Sequence, residues 1–244
     1  MAEEAVQEAG YDQLDELVLA SSHVGEFLHE LAVLAAAELS HVDSEVSCGI
    51  TLVRHKKADT VASSDERARA MDEVQYKSKD GPCLSAIREG TTVHVPDLTK
   101  DPRWPDYGAA VGGESINSVL AVPFRTGGSA RAALNLYADA SNAFTEDAIQ
   151  AAAEFALRAS TSLRLALRIA HLTDTRDNLT AAMESRTVID LATGAIMAQN
   201  RCSQQTALAI LKSASSSRNV KLRAVAATVL ASISNEGVST YFDA

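Results

Sequence analysis

Arg218, Asn219, Lys221 and Arg223 crowd into six positions, and side chains of these types hold phosphates and hydrogen-bond base edges. They lie in a stretch, Leu191 to Asn235, that contains no Asp or Glu yet includes Arg201, Lys212, Arg218, Lys221 and Arg223. A solvated helical face usually mixes signs to gain i,i+4 pairs, so a long acid-free run points to a polyanion or to an acidic partner surface. The formal net charge of −10 over 244 residues does not exclude nucleic acid. Residues 172–244 hold 7 Lys or Arg against 6 Asp or Glu, so the acidic excess lies upstream. Arg186 and Arg201 extend the basic set, and Gln199 and Asn200 add amides able to pair with bases. Asn219 has a second reading, a helix C-cap in left-handed conformation. No aromatic falls between Phe155 and Tyr241, so stacking on this stretch is left to guanidinium planes.

Other chemistry is poorly provided for. Cys83, at an expected helix start, could be a low-pKa nucleophile or redox sensor, or a buried structural thiol. Cys48, Cys83 and Cys202 form no CxxC pair and fit neither a disulfide framework nor a zinc site. His23, His29, His41, His55, His94 and His171 show no metal spacing, and no GxGxxG or GxxxxGK loop exists. The expectation is a protein without cofactor or metal that is not an enzyme. No apolar run approaches the ~20 residues of a membrane span, and the acidic start is unlike a signal peptide, so a cytoplasmic location is expected.

These residues need elements to position them. Residues 1–24 read as a tail or a loosely docked helix with a weak stripe of Leu14, Leu17 and Val18. Phe27, Leu28, Leu31, Leu34, Ala35 and Leu39 keep helical spacing, and Glu45 to Arg54 alternates as a strand. A helix is expected from Asp65, capped by Ser63 or Ser64, and another from Pro82. Thr92 to Val95, Asn117 to Phe124 and Arg131 to Tyr137 read as strands, the last two joined by a turn at Gly127 and Gly128. Pro96 to Tyr107, with its prolines, reads as a surface loop.

From Phe144 to about Asn200 there is no proline and one glycine, which predicts a long helix capped by Thr145. Within it Leu165, Ile169, Leu172, Leu179 and Met183 follow alternating spacings of three and four, with Arg176 at the seam position between Leu172 and Leu179, a heptad seam through which two copies could pair in parallel. Ser203 should cap a helix to Arg218, and Val220 to Ile233 a last one. Gly194 in mid-helix costs ~1 kcal/mol against Ala. With Ala192 and Ala195 beside it, it signals a close approach, by another helix of the module or by a ligand.

The segment Ser185-Arg186-Thr187-Val188-Ile189-Asp190-Leu191-Ala192-Thr193-Gly194-Ala195-Ile196-Met197, then Ala207 to Leu211, then Asn219-Val220-Lys221-Leu222-Arg223, resembles the ANTAR domain. Thr193 stands where that family often has lysine, so its position joins the expected RNA-facing set while the phosphate contact itself could pass to Arg186 or Arg201. Upstream, Gly81-Pro82-Cys83, Val95-Pro96-Asp97, Asp101 to Pro105 and Ser118 to Phe124 look like a GAF domain of the actinobacterial GAF-ANTAR type. The cyclic-nucleotide pattern of some GAF domains is missing, so that ligand is not carried over.

The resemblance implies an α+β chain. An antiparallel-sheet GAF-like sensor domain (25–170) would precede a coiled-coil linker (165–185), a three-helix ANTAR bundle (179–235) and a tail (236–244). It implies a homodimeric transcription antitermination regulator that binds tandem small stem-loops in nascent RNA and disfavours a terminator hairpin. The GAF part would sense a small-molecule ligand or serve dimerisation. Two rival readings stay open: a helix-turn-helix-like DNA-binding regulator, and a ligand-sensing interaction protein without nucleic acid.

Overall fold

The computed structural model describes residues 13–40, 45–54, 57–111, 115–127 and 131–233. The start of the expected 1–24 tail, the residue Gly128 of the expected turn and the 236–244 tail lie outside them. The chain divides into two compact units, Met1–Ala170 and His171–Ala244, with the boundary inside one helix.

In the first unit the described elements run α1 (residues 13–20), α2 (Val24–Leu39), β1 (Val46–Arg54), β2 (Lys57–Ser63), α3 (Glu66–Ser78) and α4 (Pro82–Glu89). Then come β3 (Val93–Val95), α5 (Pro105–Val111), β4 (Ser118–Pro123), β5 (Arg131–Ala138) and the start of α6 (Glu146–Asn200). The five strands form one antiparallel sheet in the order β2-β1-β5-β4-β3. This is the α+β architecture expected, with helices on both faces.

One face carries Cys48, Ile50 and Leu52 of β1, Leu120 and Val122 of β4 and Leu134 and Leu136 of β5, packed with Phe27, Leu31, Phe155 and Leu163 of α2 and α6. Each such side chain contributes roughly 1.5–3 kcal/mol when fully buried. The other face carries Val119, Ala121 and Tyr137 under Met71 of α3, Cys83 of α4 and Tyr107 of α5. The sheet is therefore buried on both sides. Ser47 and Thr51, which alternation would turn to solvent, are 3% and 0% exposed.

The structure decides, adds to or changes the reading at four places. Leu14 and Val18 are buried in the first core, so of the two readings of this segment α1 takes that of a docked helix. Strand β2 has too weak an alternation to be read from sequence, yet pairs with β1 across a register shift at Ile50/Thr51. The expected surface loop Pro96 to Tyr107 gives way at Pro105 to α5, because Trp104, Tyr107 and Val111 supply apolar filling of the second core. Helix α3 is capped by Asp65, whose carboxylate accepts the Ala68 N–H at 2.9 Å, while Ser64 Oγ instead accepts the Cys48 N–H of β1.

The second unit contains the rest of α6, α7 (Gln204–Arg218) and α8 (Leu222–Ala231). Val188, Ala192, Ile196, Ala207, Leu211, Val225 and Ala226 make its core, with Ile189 and Met197 at the margin. Ser203 caps α7 as expected by accepting the Thr206 N–H at 3.2 Å.

Candidate nucleic-acid interface

Asn219 ends α7 in the left-handed conformation (φ 51°), and its backbone N–H closes on the Ser215 and Ser216 carbonyls. The cap reading of Asn219 therefore holds for its backbone. The turn is pinned further by the Ser215 hydroxyl, which donates to the Val220 carbonyl at 2.6 Å. Lys221 is the N-cap of α8, with no side-chain cap hydrogen bond and no acid in the helix's first turn. Arg218, Lys221 and Arg223 are exposed around this turn. The start of a helix carries roughly half a positive charge, so cations gathered there raise a potential that only an anion relieves. Arg223 Nη2 meets Glu184 Oε2 of α6 at 3.2 Å, which ties the turn to the long helix. Arg218 and Lys221 make no ion pair among the described residues.

Arg186 lies two residues beyond Glu184, 85% exposed in its side chain and loosely paired with Asp190 at 3.6 Å. It belongs to the same end of the module as the α7–α8 turn. Gln199, Asn200 and Arg201 are exposed at the far end of α6, about 20 Å further along at 1.5 Å per residue. The expected set thus falls into two groups at opposite ends of the bundle.

Two expectations from the sequence are corrected here. Thr193 is 3% exposed and its hydroxyl donates to the Ile189 carbonyl at 2.7 Å, so it packs in the bundle and presents nothing to RNA. A Cβ on Gly194 would meet nothing within 4 Å, so no other helix approaches it closely among the described residues.

The first unit holds a cluster that sequence reading missed. Asp72 and Gln75 of α3 and Asn135 and Tyr137 of β5 are all 0% exposed. Asn135 Nδ2 donates to Asp72 Oδ1 and to Thr51 Oγ1, both at 2.8 Å, and the Tyr137 hydroxyl donates to Asp72 Oδ1 at 2.5 Å. Gln75 Nε2 donates to Cys83 Sγ at 2.9 Å, and Gln75 Oε1 accepts the Cys83 N–H at 2.9 Å. Two glycines make room, since a Cβ on Gly49 would lie 2.3 Å from Asp72 Oδ2 and one on Gly81 2.3 Å from Gln75 Oε1. The signal was available as polar residues on the apolar faces of α3 and β5, but such residues look like solvent-facing ones until the sheet is seen covered on both sides.

Cys83 sits in this cluster fully buried, and burial, with the Asp72 charge adding to it, pushes its thiol far above the ordinary range. It is a structural thiol, the opposite of the activated one that a helix start suggested. Cys48 belongs to the core on the other face of the sheet. No group of three or more His, Cys, Asp or Glu side chains among the described residues could hold a metal ion, and no described helix is long and apolar enough to cross a membrane.

Residues 25–164 match the model of the GAF domain family and residues 177–230 that of the ANTAR domain. No curated protein matches the chain. Among solved structures, the GAF domain of an Acinetobacter phosphoenolpyruvate-protein phosphotransferase is 16% identical, with 67% of this chain and 96% of that one covered at a TM-score of 0.49. The free methionine-R-sulfoxide reductase of Neisseria meningitidis, solved with its substrate, is 15% identical over 68% and 93%, TM-score 0.49. The type II enzyme of that name from Thermoplasma acidophilum is 18% identical over 57% and 94%, TM-score 0.44. An ANTAR domain implies an RNA-binding regulator and a GAF domain a sensor module. The chain belongs to the GAF domain family and carries an ANTAR domain behind it, which makes it a GAF-ANTAR regulator.

Proposed function

We propose that this protein is a homodimeric transcription antitermination regulator that binds tandem stem-loops in nascent RNA and so disfavours a terminator hairpin. The observation that carries the reading is the placement of Arg218, Lys221 and Arg223 on one pinned turn of the ANTAR domain, with Arg186 at the same end. Cationic side chains around an uncapped helix start suit the phosphates of a loop, whose splayed bases are then open to the amide and guanidinium groups nearby. Gln199, Asn200 and Arg201, at the opposite end of the bundle, are a separate, second contact group.

Pairing is proposed through α6. Leu165, Ile169, Leu172, Leu179 and Met183 are 46–59% exposed, and every residue from 171 to 183 is exposed. An apolar series at heptad spacing left in water is costly, and a second copy in parallel removes it. Such a dimer offers two equal cationic surfaces to two equal loops. The GAF unit is proposed to take a small-molecule signal or to add to the pairing.

An electrophoretic mobility shift with a tandem stem-loop RNA and a DNA duplex of equal length tests the reading. RNA is expected to bind more tightly. Equal or tighter binding of the duplex overturns it and favours a helix-turn-helix reading, although α7 offers only Gln204, Gln205 and Lys212 before its last turn to read a groove.

A further inference from the structure

The ANTAR bundle supplies its own anion to the cationic turn. Within the stretch that forms α7 and α8 there is no acidic side chain, yet Glu184, 39 residues before Arg223, reaches across from α6 and meets it at 3.2 Å. The two side chains keep 38% and 48% of their exposure, so the pair sits where a ligand can reach it. Around it stand Lys221 with no capping partner, Arg218 in the last turn of α7, and the amides that open α8. Arg223 is the member of the cluster that is already neutralised.

We infer that Glu184 is an intramolecular stand-in for an RNA phosphate: it holds Arg223 in the free protein and is displaced when RNA binds. The inference rests on the RNA-binding reading of this surface. A carboxylate and a phosphate oxygen compete for the same guanidinium donors, and the winner is set by how many other cations share the anion. A phosphate at the α7–α8 turn also gains Lys221 and Arg218, which the structure leaves out of Glu184's reach. Glu184 therefore lowers affinity for any ligand that takes Arg223, and a ligand that also engages Lys221 and Arg218 recovers the loss, whereas one touching Arg223 alone gains nothing over the resident carboxylate. Its departure also makes binding less steep in salt than the count of cations suggests, since one of them had no counterion to release.

The test is a titration of the full-length wild type, Glu184→Gln and Asp174→Asn with the tandem stem-loop RNA at low salt. Asp174 lies ten residues upstream on the same helix and removes one negative charge without touching the cluster. Glu184→Gln is expected to bind about threefold to fivefold tighter, the range of an exposed ion pair, with a steeper log-log salt slope, and Asp174→Asn to change little. In an Arg223→Ala background the gain from Glu184→Gln should vanish. Wild-type binding with an unchanged or weakened Glu184→Gln overturns the inference, since the carboxylate would then be positioning Arg223 rather than occupying it. An equal gain in Asp174→Asn overturns it as well, by assigning the effect to net charge. Absence of RNA binding by every form instead brings down the RNA reading itself.

Discussion

The two units handle polar groups in opposite ways. In the GAF unit polarity is turned inward, where Asp72, Gln75, Asn135 and Tyr137 are joined by hydrogen bonds in one cluster at zero exposure, with Asn135 Oδ1 left without a partner among the described residues, and some of the surface cations are paired, among them Arg69 with Glu66, Arg103 with Asp101 and Arg158 with Glu38. In the ANTAR unit the core is almost wholly apolar, Thr193 being its buried hydroxyl, and Arg201, Lys212, Arg218 and Lys221 make no ion pair among the described residues. A buried hydrogen-bonded network fixes one arrangement of side chains and makes each bonded member costly to lose. Unpaired surface cations add little to the stability of the free protein and stay open to an incoming anion.

That contrast can be broken from either side. Asp72→Ala should have the largest effect, because it strands the Asn135 and Tyr137 donors and leaves a cavity; a loss of about 3 kcal/mol is expected from chemical denaturation. Gly49→Ala should act in the same direction by pushing on Asp72 Oδ2. Leu172→Glu with Leu179→Glu, which touch no core, should yield a monomer by light scattering and weaken binding of tandem-loop RNA by about 100-fold, the loss of the second contact. Lys221→Ala should leave stability unchanged, weaken RNA binding by about 1 kcal/mol and flatten the log-log salt slope by about 0.7–0.9.

Acid sharpens the same comparison. The Lys100 ammonium and the Thr99 hydroxyl hydrogen-bond Asp97 and hold its carboxyl down at about 2, and Arg103 lowers that of Asp101. Carboxyls depressed in the folded state add stability that is complete above the ordinary carboxylate range and lost as pH falls through their folded values. The GAF unit should therefore weaken progressively from about pH 4 toward pH 2; a flat urea midpoint across that window would contradict the pairing. Smallest of all, Thr193→Val should leave RNA binding unaltered and cost less than about 1 kcal/mol, as a single local hydroxyl bond does.

Much of the architecture is legible in the residues, and the limits have physical causes. The alternation of Val46, Cys48, Ile50 and Leu52, the proline-free run that becomes α6, and the Ser203 cap are local signals, and local structure followed them. What failed to show depends on partners distant in sequence. Trp104 and Tyr107 read as loop residues because the core they fill is assembled from α3, α4 and β4. Asp72 and Asn135 are 63 residues apart, and Glu184 and Arg223 are 39 apart, so neither pair could be matched from spacing. Gly194 carries a helix-propensity cost that no close contact among the described residues accounts for.

The central claim is that two copies, joined along α6, present paired cationic turns to two loops of one RNA. Native mass spectrometry of the full-length protein with a tandem stem-loop RNA tests it most directly, alongside the same RNA with one loop deleted. Two protomers on one tandem RNA, and at least about tenfold weaker capture of the single-loop form, are the expected results. One protomer bound to either RNA with equal affinity would contradict it.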